Sequence, residues 1–191
     1  MANDRPNWAG LFDIASTQDG LFTTRQAAEV GYSTRLLVHH VRGGAFARVL
    51  HGVYRLVYFP AAEYEGLTIA WLWSGFEGCI SHESALSLHR LSDVLPSQVH
   101  LTVPQSWRHR RVTPPEGVVL HYADLQPLEK AWYGAVPITK PERTLVDCAI
   151  DHLSPELLRQ AVDQAISRGL VDMSALAVVQ SALAPFGGLA A

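Results

Sequence analysis

Apolar positions change their period along residues 7–60. Trp8, Leu11, Phe12 and Ala15 recur at three- and four-residue spacing, so 7–19 predicts a helix that Gly20 ends. Thr23 and Thr24 are both suitable N-caps for a short second helix over 25–30, and Gly31 supplies the left-handed residue of a sharp turn. Ser33 caps a third helix, 34–42, which stops at Gly43-Gly44. The pattern then becomes β-rich: 46–50 and 53–57 are two short runs joined through His51-Gly52, a hairpin. A hairpin behind two helices and a tight turn predicts a winged helix-turn-helix.

Pro60 marks the expected boundary. Beyond it, 63–73 predicts an apolar helix with Trp71 and Trp73 in a core, and Ser81 is the expected cap of a helix over 82–90. Residues 99–103 and 118–122 read as strands, separated by a polar connection that ends in Pro114-Pro115. Thr139 and Glu142 have capping-box spacing ahead of a helix through Leu145, Val146, Cys148 and Ala149. Two more helices are expected over 155–168 and 174–184, with a frayed tail at 185–188. The fold class is therefore α+β: a winged helix-turn-helix domain over 1–60, then a mixed α+β domain over 61–191.

Charge sharpens this picture. The chain carries a net −3, but residues 20–60 hold five arginines against Glu29 alone, a local +4, which leaves −7 on the rest. On the third helix Leu37 and Val41 should face the core, which puts Ser33, Thr34, Arg35, Val38, His39 and Arg42 on the outward side. An arginine fork suits guanine edges or phosphates, and Val38 suits a thymine methyl. Thr23, Thr24 and Arg25 stand at a helix N-terminus, where backbone N–H groups favour phosphate. Arg48, His51 and Arg55 lie on the hairpin, within reach of backbone or minor groove. The expected partner is double-stranded DNA; the alternative is a winged helix that serves as a scaffold for protein contact. Arg108, Arg110 and Arg111, beside Trp107, form a second candidate contact for nucleic acid or an acidic partner.

Other chemistry is not expected. Ser81, His82, Glu83 and Ser84 are adjacent on a helix and point in different directions, so they form no nucleophile–base relay. Cys79, His82 and His89 lack a fourth ligand at zinc spacing. No catalytic residue, metal or cofactor is expected, and the protein is read as a non-enzyme. No apolar run is long enough for a bilayer, and MANDRPNW has no secretory pattern, so a cytoplasmic protein with two buried, reduced thiols is expected. Arg143 and Asp147, four apart, are a candidate ion pair within one helix, and, if buried, a candidate tie between the two domains.

Three stretches carry a family resemblance. GLFTTRQAAEVGYSTRLLVHHVRGGAFARVLHGVYRL, ISHESALSLHRLSDVLPSQVHLTVP and VPITKPERTLVDCAID follow one another across residues 20–153. The first resembles the N-terminal winged helix of AbiEi-family antitoxins of bacterial type IV toxin–antitoxin systems, and the other two resemble that family's following stretches. The resemblance implies a repressor that binds its operator, autoregulates its operon and neutralises a nucleotidyltransferase toxin, or an orphan regulator without one. Many actinobacterial proteins with similar motifs continue into a nuclease-like domain; here the residues after 153 read as helices without an acidic metal cluster, so no nuclease is expected.

Overall fold

The structure is a computed structural model that describes residues 6–189. Residues 1–5, which open the stretch read for a secretory pattern, lie outside the described residues. The chain divides into two compact units, Met1–Phe76 and Glu77–Ala191.

In the first unit, α1 (Trp8–Ser16) is capped by Asn7, whose side chain accepts from the Gly10 N–H, and buries Leu11 and Ala15. The chain then reverses through Gly20 at φ +79°, where a Cβ would lie 2.5 Å from the Phe59 ring. Next comes a strand the apolar pattern did not signal, β1 (Leu21–Thr23), too short for an alternating signature. It is followed by α2 (Thr24–Glu29), α3 (Thr34–Arg42), β2 (Phe46–Leu50) and β3 (Val53–Leu56). β3 is central: it pairs antiparallel with β1 and with β2, so the wing is a three-stranded sheet, not the two-stranded hairpin expected. Phe46 is the hub of the core. Its ring meets Phe22 edge-on at 5.1 Å and lies near Tyr32 and His40, while Leu37 plugs α3 into the same cluster.

The boundary falls at Phe76, not Pro60. α4 (Glu65–Trp73) packs against β1, β2 and β3, Arg55 pairs with Glu65, and Thr68 donates to Asp19 at 2.5 Å. The physical reason is apolar area: Leu67, Ala70, Trp71 and Leu72 need a partner, and this sheet provides one.

The second unit is a five-stranded mixed sheet in the order β6-β5-β4-β8-β7, with a helical layer. In chain order it comprises β4 (Cys79–Ile80), α5 (His82–His89), β5 (Val99–Val103), β6 (Val118–Tyr122), β7 (Lys130–Tyr133), β8 (Val136–Thr139), α6 (Pro141–Ile150), α7 (Pro155–Ser167) and α8 (Ala177–Leu183). β5 and β6 run parallel, in register from Val99↔Val118 to Val103↔Tyr122. Helices α5–α8 share one core built on Leu86, Leu145, Leu158 and Val179.

Two expected caps are corrected. Ser81 stands at the N-cap of α5, but its buried hydroxyl accepts from Thr102 at 2.7 Å and meets His82 Nδ1 at 2.9 Å, so it caps nothing. Thr139 ends β8; Lys140 is the N-cap of α6, and the Thr139 hydroxyl meets that of Thr144 at 2.7 Å. The proline at N1 holds Lys140 extended, which shifts the helix start past the threonine. The tail at 185–188 is tied rather than frayed: Arg159 donates to the carbonyls of Phe186 and Gly188.

Candidate nucleic-acid interface

α3 presents the surface. Leu37 is fully buried and Val41 half-buried against the core, which turns Thr34, Arg35, Val38, His39 and Arg42 outward, all exposed. His40 is turned the other way, its ring 4.8 Å from Phe46. The helix is fixed at its start by Ser33, whose side chain accepts from the Leu36 N–H, and at its end by Gly43. The turn before it needs Gly31 at φ +88°. At the tip of the wing, Arg48 meets His51 Nδ1 at 2.7 Å and donates to the Leu50 carbonyl, so the two polar side chains form one exposed unit. Arg25 is exposed beside Glu29 at 3.3 Å, a surface pair worth little.

Three of the expected contacts are placed elsewhere. Thr23 is buried, and its hydroxyl accepts from the Gln26 N–H while the Gln26 side chain accepts from the Thr23 N–H. Thr24 spends both its N–H and its hydroxyl on the Gly52 carbonyl, which pins the wing turn to α2. These bonds occupy the Thr23, Thr24 and Gln26 amides, which would otherwise be open to a phosphate at this helix start. Arg55 is half-buried: it pairs with Glu65 at 3.6 Å and donates to the Phe59 carbonyl, so it fastens α4 to the sheet.

Met1–Phe76 contains six arginines and six acids, so the unit as a whole is neutral, and the positive character belongs to the face of α3 and the wing tip. Glu77–Ala191 carries nine basic and twelve acidic residues, a net −3.

Residues 11–57 match the model of a family of transcriptional regulators, the AbiEi antitoxins. Over this segment the chain is similar to the AbiEi antitoxin family of transcriptional regulators. The AbiEi-type segment runs from within α1 through β3 and so contains every element of the surface just described. The whole fold is similar to that of the crystal structure of the RV2827C protein from Mycobacterium tuberculosis, with a TM-score of 0.52 and 16% identity over 98% of this chain and 80% of that one. No curated protein sequence matches the chain.

The second candidate contact is largely engaged with its own unit. Trp107 is buried and donates to Glu77 at 3.1 Å. Arg110 pairs with Glu77 and lies over the Trp107 ring at 4.7 Å, while Arg108 lies over Tyr122 at 5.6 Å. Arg111 is exposed.

In that unit the fold assembles a constellation that sequence reasoning missed. His82, His100 and His121 stack, with 3.5 Å between the His82 and His121 rings and 3.0 Å between His100 Nδ1 and His121 Nε2. Burial, reinforced by the charges of His121, His100 and Arg143, pushes the His82 imidazole down to about 3, and burial also lowers His121. His82 itself sits at φ +49°, a left-handed backbone rare outside glycine. Below them Arg143 bridges Glu129 at 2.6 Å and Asp147 at 2.8 Å, an ion triad within the second unit that ties α6 to the turn before β7 and does not hold two domains together. Burial raises the Asp147 carboxyl despite that arginine. The period-two spacing of His100 and Thr102, and of Val119 and His121, was a usable signal, but only the β5–β6 register puts the two sets on one face. His89 takes no part in this cluster: its Nε2 is turned onto the Thr139 carbonyl at 2.7 Å. Both cysteines are free and buried, and burial pushes the Cys79 thiol up to about 12. Among the described residues no helix is long and apolar enough to cross a membrane.

Proposed function

We propose that this protein is a cytoplasmic, sequence-specific DNA-binding repressor that autoregulates its operon, and that it works without enzymatic activity. The observation that carries this reading is the face of α3: five side chains, Thr34, Arg35, Val38, His39 and Arg42, exposed together on a winged helix of a regulator family. In this reading α3 enters the major groove, with Arg35 or Arg42 donating two parallel bonds to a guanine edge, and the Arg48–His51 pair of the wing reaches the flanking backbone.

The test compares operator and random duplexes in gel-shift titrations. Arg35→Ala or Arg42→Ala is expected to cost about 1–3 kcal/mol on the operator and less on random DNA. Arg48→Ala should weaken both equally, because phosphates carry no sequence. Arg55→Ala should leave both affinities nearly unchanged at a temperature where the unit is folded. Equal losses on both duplexes for the helix variants would sink base readout by α3.

The partner is proposed to be a nucleotidyltransferase toxin, held by the second unit. Support comes from the family resemblance and from the unit's separate compactness. A fragment of residues 77–191 is expected to restore growth to cells expressing the toxin encoded beside this gene, and residues 1–76 to bind the operator without rescue. Rescue by 1–76 alone would give the toxin contact to the winged helix and make it the protein-binding scaffold.

A further inference from the structure

His82, His121 and Asp151 bring their ligand-capable atoms within 4.8 Å of one another, although they lie far apart in sequence. We propose that these three side chains form a binding site for a divalent transition-metal ion of the zinc type.

Two imidazoles and a carboxylate suit Zn²⁺ or Co²⁺; calcium and magnesium prefer all-oxygen sites. A metal-bound histidine usually has its other ring nitrogen held by an outer partner. Here Ser81 Oγ holds His82 Nδ1 at 2.9 Å, and His100 Nδ1 holds His121 Nε2 at 3.0 Å. Each ring therefore keeps its second nitrogen for a ligand.

Asp147 is 5% exposed and lines the same cleft as His82, His121 and Asp151. Its Oδ1 accepts from Arg143, but its buried Oδ2 has no hydrogen-bond partner. An orphaned carboxylate oxygen is costly in a protein interior, and a cation in the cleft offsets that cost. Asp151 is exposed at the C-terminal end of α6, so no core packing opposes a rotamer change toward the ion. Such movement is needed: a tetrahedral zinc site has ligand–ligand edges of about 3.5 Å. The near-parallel His82 and His121 rings must also open slightly, by rotation of His121, to point at one ion. Thr102 and Arg108 line the same cleft.

The experiment uses the full chain stripped with a chelator and titrated with Zn²⁺ by calorimetry, and with Co²⁺ by visible absorption. One ion per chain is expected, with Co²⁺ bands of low-symmetry nitrogen–oxygen coordination. Asp151→Asn, at an exposed position that leaves the core intact, should weaken binding at least about tenfold, and His121→Gln should do the same. His109→Gln, an exposed histidine outside the cluster, should leave the affinity unchanged. Absence of stoichiometric binding by the unaltered chain would overturn the proposal. So would undiminished affinity in the Asp151→Asn/His121→Gln double variant, which would place the ion elsewhere. The operator-binding measurements above are unaffected by either outcome.

Discussion

Raising the salt concentration from about 50 to about 200 mM is expected to weaken binding to the duplex upstream of this gene roughly 150-fold. The figure follows from the surface. Arg25, Arg35, Arg42 and Arg48 are exposed on α2, α3 and the wing tip, while Arg55 is committed to Glu65. With about four phosphates neutralised, log K should fall with log salt at a slope of about −3.6. An arginine diverted to a guanine edge makes the slope shallower, because that contact releases no phosphate counterion. Gel-shift or fluorescence-anisotropy titrations at several salt concentrations measure the slope. A value near zero would falsify duplex binding by this face. A slope much steeper than four contacts allow would mean that a second copy, or the exposed Arg111, adds to the footprint.

Phe46→Ala is expected to cost about 3–5 kcal/mol, enough to unfold the first unit at physiological temperature. Phe46 is 1% exposed, and its ring touches a different element on each side. Trp8 of α1 stacks on it at 6.1 Å, Phe22 of β1 meets it edge-on, and Tyr32 and His40 close it in before and within α3. Removing the ring leaves a cavity where α1, α3, the turn before α3 and the sheet meet, and no one neighbour can fill it alone. The core of the second unit is built from other residues, so its transition should survive. Denaturation followed by near-ultraviolet circular dichroism should then show one of two transitions lost, together with operator binding. A loss of less than about 1 kcal/mol would mean that the α1–α3 cluster repacks around the gap.

Much of the first unit was legible in the sequence because its signals are local. The spacing of Leu37 and Val41, the cap at Ser33 and the turn at Gly31 define α3 within a dozen or so residues, and they already decide which side faces out. The alternation in 99–103 and 118–122 likewise located β5 and β6. Strands β1 and β4 were missed because runs so short carry no period, and the β7–β8 hairpin because Pro137 and the half-exposed strand around Trp132 dilute the pattern.

What the sequence determined by itself is a helix that turns its polar side outward, because helical periodicity and capping are properties of neighbouring residues. Tertiary structure decided the fate of each polar group whose partner is distant. Arg55 looked like a wing contact until Glu65 took it, and Ser81 and Thr139 looked like caps until Thr102 and Thr144 claimed their hydroxyls. His82, His121 and Asp151 meet only because β5 and β6 pair in one register and α6 ends beside them. A hydrogen bond or ligand set depends on distance in space, and local sequence pattern carries no information about that distance until the chain is folded.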